Sequence, residues 1–148
     1  MIFDTRNKTW TSGPYMGTAR ARHGCFSIEE NGTITKVVAM GGKPNGNWVM
    51  SKAEILDVAS LRWQRLPDLP FEVRYNEGVE SMIEPYLGFS IGGSSPIGNV
   101  GWRTEKRIIG LRKNRNGSYY WEILNNHLSS GRESLSAVNA PISMLPTY

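Results

Sequence analysis

Three tryptophans and two glycine pairs recur in step along the chain, and this recurrence constrains the fold more than any other feature. Trp10, Trp63 and Trp121 are 53 and 58 residues apart, and Gly41-Gly42 precedes Gly92-Gly93 by 51. A period of about 50 residues marks a chain made of stacked copies of one unit, each needing its neighbours to bury its apolar faces. Between these landmarks the apolar runs have the length of short strands and are broken by Gly, Pro, Asn and Ser, with no helical periodicity.

The pattern predicts four strands per unit. In the fullest unit, strand a covers His23–Ile28, b covers Lys36–Met40 and ends in Gly41-Gly42, c covers Ala53–Val58, and d covers Arg62–Leu66. The next unit repeats this order with Gly78–Ile83, Tyr86–Ile91, Arg107–Leu111 and Tyr119–Leu124, its c–d turn marked by Asn116-Gly117. Ile2–Asp4 and Thr9–Thr11 read as strands c and d of an earlier unit, and Glu133–Val138 as strand a of a later one. The expected division is 1–16, the end of a first blade; 17–70 and 71–128, two full blades; and 129–148, the start of another.

These landmarks resemble the kelch family. The likeness rests on the strand-b Gly-Gly pairs, on Ile55-Leu56-Asp57 and Phe3-Asp4 leading to a Trp, and on Leu66-Pro67-Asp68-Leu69-Pro70 after Trp63. Kelch repeats usually carry Tyr seven residues before the Trp, where this chain has Phe3 and Leu56, and the unit of Trp121 carries an insertion. The resemblance implies an all-β chain, a partial kelch β-propeller of antiparallel four-stranded blades. Propellers have about four to eight blades, so exposed blade faces are expected to favour self-association.

In such a blade the motif residues are structural. Gly-Gly permits positive φ where backbones crowd, and an outer-strand Trp packs between blades with its indole N–H available to a backbone acceptor. A buried Trp63 would cost about 3–5 kcal/mol on truncation to Ala. Function falls to the links between strands. In kelch domains the b–c and d–a links gather on one rim and bind partner peptides.

Here those links are Lys43–Ser51 and Ser94–Thr104, with Gly17–Arg22, Phe71–Glu77 and Ser129–Arg132. The candidate partner-binding residues on or beside them are Arg20, Arg22, Lys43, Asn45, Asn47, Trp48, Arg74, Tyr75, Asn76, Ser94, Ser95, Trp102, Arg132 and Ser134. Arginine forks suit carboxylate or phosphate, and Trp and Tyr supply anchoring area, so the rim suits an acidic or phosphorylated peptide. Joint charge reversal at Arg20, Arg74 and Arg132 is expected to weaken partner capture without lowering stability.

Enzyme chemistry finds little support. His23 and Cys25 share a strand face but lack a third, orienting group. With His127 they are too few and too dispersed for zinc, and Glu29-Glu30 point to opposite faces. No phosphate-binding glycine loop is present, so no cofactor and no metal are expected. Kelch-like sugar oxidases and epimerases keep a propeller enzyme or carbohydrate-binding protein open as the alternative.

Net charge is +4 with the bases scattered, which argues against nucleic acid. No apolar run is long enough to span a bilayer. A single cysteine and no signal-like N-terminus point to the cytoplasm. The sequons at Asn7, Asn31 and Asn116 are explained by turn chemistry. Intracellular kelch proteins often carry a BTB domain and serve a cullin-3 ubiquitin ligase, so the resemblance implies a substrate-recognition or scaffold segment, with ligase adaptor the specific form.

Overall fold

The computed structural model describes residues 1–46 and 48–138. Among them the protein is all-β, with twelve strands and no helix. A short hairpin, β1 (Ile2–Asp4) with β2 (Thr9–Thr11), precedes a four-stranded antiparallel sheet of β3 (Gly24–Glu30), β4 (Thr33–Met40), β5 (Ala53–Asp57) and β6 (Arg62–Leu66). A second such sheet follows from β7 (Glu77–Glu80), β8 (Tyr86–Ile91), β11 (Arg107–Lys113) and β12 (Tyr119–His127). Both sheets keep sequence order from first strand to last, the arrangement of consecutive partial blades; no ring closes among the described residues.

Alternation along the strands builds the interface between the sheets. Phe26, Val38 and Ile55 are cross-strand neighbours and so share one face of the first sheet. They meet Ile109 and Leu111 of the second sheet in one buried core, joined by Leu69 and Val73 from the link between the sheets. At the innermost position β3 lies against β7. Gly78 allows this, because a Cβ there would collide with the Cys25 backbone.

The repeat is also written in hydrogen bonds. The Trp63 indole N–H donates to the Pro14 carbonyl at 3.2 Å, and that of Trp121 donates to Pro67 at 2.9 Å. Each acceptor lies four residues beyond the preceding unit's Trp. The glycine pairs behave alike, with Gly42 N–H donating to Val73 O and Gly93 N–H to Arg132 O, both at 2.7 Å. A Cβ on Gly41 or Gly92 would sit 2.6 Å from those same carbonyls, and all four glycines have positive φ.

Two segments depart from expectation. The link Ser94–Thr104, expected as an open loop, folds into a hairpin, β9 (Ser94–Ile97) with β10 (Gly101–Thr104). Its turn is closed by Val100 N–H donating to Ile97 O. Glu133–Val138, expected as a strand, is not one in this structure. A strand requires a ladder partner; the backbone of this segment instead docks on the rim, with Ser134 N–H donating to Tyr75 O.

Candidate functional site

The links at the Gly-Gly end of both sheets are stitched together by backbone pairs. Ala21 bridges Lys43, and Arg74 bridges Ser94. Tyr75 N–H donates to Arg22 O at 2.8 Å, and Ser134 N–H donates to Tyr75 O at 3.1 Å. Arg22, Tyr75 and Ser134 are equivalent in the repeat and share φ values of 57°, 56° and 52°. Left-handed backbone is uncommon for such residues, so three occurrences in register mark a specified turn that aims the neighbouring side chains.

The result is a stacked array of arginines and aromatics. The Arg22 guanidinium lies 4.6 Å from the Tyr75 ring centre, and Arg74 lies 5.3 Å from it. Arg74 also stacks on Trp102 of β10, 3.8 Å from the ring. Cation–π contact steadies each guanidinium while leaving its in-plane N–H groups directed sideways, toward any acceptor beside the stack. The buried Nε of Arg74 has no hydrogen-bond partner. Among the described residues neither Arg22, Arg74 nor Arg132 forms an ion pair, whereas Arg20, Arg65, Arg103, Arg107 and Arg112 each do.

Arg20 leaves the candidate set. Its side chain is 0% exposed and is consumed by Glu54 at 2.6 Å and by the carbonyls of Gly41 and Lys52. Reversing its charge would place a carboxylate against Glu54, so the joint reversal, expected to spare stability, should instead cost the first sheet about 3–5 kcal/mol. Asn76, Ser94 and Ser95 are buried too. Asn76 donates to the Ser90 hydroxyl, Ser95 donates to Glu72 O, and Ser94 serves the Arg74 bridge. They shape the rim rather than face a partner.

Other candidates lie on the surface. Trp48 is 80% exposed, Trp102 44%, and Asn45, Arg132 and Ser134 are exposed. Lys43 directs its ammonium to the Gly46 carbonyl at 3.0 Å. Asn47 lies outside the described residues.

The sequence reading missed Glu105, a buried carboxylate at the base of the β9–β10 hairpin. Arg103 holds it at 2.9 Å and Arg107 at 2.7 Å, and its backbone joins Gly93 O and Arg132 N–H. Burial pushes its pKa up, but the hydrogen bonds and charge of Arg107, with Arg103, outweigh that and leave it lowered. The hint in the sequence was Arg103 and Arg107 flanking one acid at spacing two.

Burial, with Arg20 nearby, lowers the His23 pKa, while burial and Glu77 raise that of Cys25, so the thiol is held protonated. Among the described residues no three His, Cys, Asp or Glu side chains group to hold a metal, and no helix is long and apolar enough to cross a membrane. No family model matches the chain, and no curated protein matches it.

Proposed function

We propose that this chain is a kelch-type protein-recognition segment whose Arg22–Tyr75–Arg74–Trp102 stack, with Arg132 beside it, binds an acidic or phosphorylated peptide. The observation that carries this reading is the division among the arginines. Arg20 against the first sheet, Arg112 in the second and Arg103 and Arg107 at the hairpin base have carboxylate partners, while the stacked ones on the rim have none among the described residues. Guanidiniums held on aromatic faces lose little side-chain freedom on binding, and they recognise carboxylate or phosphate in bidentate fashion.

The kelch likeness supports the same rim, and the single cysteine agrees with work in the cytoplasm. A substrate-recognition segment of a cullin-3 ubiquitin ligase adaptor is the specific form of this proposal, supported by that likeness alone. The test is fluorescence anisotropy with labelled acidic, phosphorylated and neutral peptides. Arg74→Ala is expected to weaken binding about tenfold or more, equivalent to about 1.4 kcal/mol, and Arg65→Ala at the exposed Asp68 pair to change it little. Equal affinity for neutral peptides, or indifference to Arg74, would overturn the assignment.

A further inference from the structure

The insertion in the unit of Trp121 lengthens the second sheet beyond what the repeat requires. In the first sheet the ladder between β5 and β6 ends at Asp57 and Arg62, and the matching pair of the second is Arg112 and Tyr120. The second ladder runs one pair further, to Lys113 and Tyr119. Alternation puts Lys113 on the face of β11 that carries Ile109 and Leu111, and Tyr119 on the face of β12 that carries Trp121, so the extra pair faces the first sheet. Across from it the first sheet has also turned polar, with Lys36 two residues before Val38 and Asp57 two after Ile55.

Here, at the end of the sheets opposite the Gly-Gly links, the apolar core gives way to a cavity of about 240 Å³ lined by Lys36, Ile55, Asp57, Gln64, Lys113 and Tyr119. Both walls belong to the two full sheets. The one carboxylate of the lining is saturated. Asp57 Oδ1 accepts from the Ser60 N–H and hydroxyl, each at 2.8 Å, and Oδ2 accepts from Lys36 at 3.0 Å. These bonds hold its pKa well below the ordinary carboxylate value. Lys36 keeps two N–H groups beyond that bond. Lys113 stands 5.5 Å from the Tyr119 ring centre and pairs with no carboxylate among the described residues. The side chains of Gln64 and Tyr119 likewise make no hydrogen bond among these residues.

Two ammoniums and further unspent donors, against one carboxylate already in use, select an anion. Ammoniums serve phosphate as point charges, whereas a planar carboxylate is better matched by an arginine fork. A phosphate monoester also brings about −1.5 to −2 of charge at neutral pH. The volume is below the roughly 300 Å³ at which sites for drug-sized ligands begin, which confines the ligand to a few carbons. Ile55 and the Tyr119 ring offer those carbons an apolar face. We infer that this cavity binds a small organic phosphate, with the phosphate between the Lys36 and Lys113 ammoniums and the carbon body on Ile55 and Tyr119, within reach of the Gln64 amide. The site lies at the other end of the sheets from the arginine rim and stands independently of the peptide-binding proposal.

Isothermal titration calorimetry of the full chain at low ionic strength tests this, with glycerol 3-phosphate as the probe and succinate and glycerol as comparisons. Glycerol 3-phosphate is expected to bind, succinate to bind about tenfold more weakly, and glycerol to give no heat. Lys113 is exposed, so Lys113→Met should leave the melt unchanged while weakening the phosphate about tenfold or more. Gln64→Ala, at another exposed position, supplies a second variant and should weaken it about threefold. Arg74→Ala at the rim should leave it unchanged. No binding of glycerol 3-phosphate, equal affinity for succinate, or indifference to both Lys113→Met and Gln64→Ala would overturn the inference. A loss on Arg74→Ala would place the phosphate at the rim and overturn it too.

Discussion

The two four-stranded sheets carry the same landmarks, but among the described residues the face with Val38, Met40 and Ala53 in the first is covered by another sheet and the matching face of the second is not. Val38, Met40 and Ala53 are sealed at 0% exposure, whereas their counterparts Phe89, Ile91 and Ile108 remain half-buried. Burial in such a molecule is therefore a property of the pair of sheets and not of the motif. The sheets also differ at the rim: the described residues of the first b–c link form no strand, while the second is a hairpin rooted on a buried carboxylate.

The largest effect that would sharpen this contrast lies at the sheet interface. Leu111→Ala should lose about 2–5 kcal/mol in denaturant melts because its cavity is enclosed on both sides. Ile108→Ala, on the uncovered face, should lose only about 1 kcal/mol. Equal losses would break the distinction between covered and open faces.

An intermediate effect is expected at Glu105. Glu105→Gln should lose about 1.5 kcal/mol or more at neutral pH, since it removes charge-assisted bonds to Arg107 and Arg103. Its folded pKa is below the ordinary 4.5, so the stability it adds is fully present above that value and is lost as pH falls through the folded one. The unmodified chain should therefore lose more stability than the Gln variant on acidification below about pH 4.5. Parallel acid profiles would show that the hairpin does not depend on this ion cluster.

The smallest effect concerns the indoles. Trp63→Phe keeps the packing but deletes the bond to Pro14, for a loss of about 0.5–1.5 kcal/mol. Trp10→Phe should change monomer stability by less than about 0.5 kcal/mol. A matching loss at Trp10 would show that it already has an acceptor.

What could be read from sequence was whatever depends on near neighbours. Gly41-Gly42 and Trp63 announce a turn and an outer strand because positive φ and bulky packing leave local marks, and the four-strand order followed. The fates of Arg20 and Arg74 could not be told apart, because they turn on Glu54, 34 positions from Arg20, and on Trp102, 28 from Arg74. Ser94-Ser95-Pro96 hid a strand because its alternation is polar and its Pro is normally an edge residue. Left-handed backbone at Arg22 and Tyr75 was invisible too, since neither residue favours it.

That repeated left-handed turn also governs how the rim can move. With Ser134 tied to Tyr75 and Tyr75 tied to Arg22 through the main chain, the successive links are coupled like the teeth of a comb fixed to one bar. A displacement at one link must be shared by the next. Under the proposed function, a bound peptide would meet a pre-spaced row of cations, most of whose ordering entropy was lost when the chain folded.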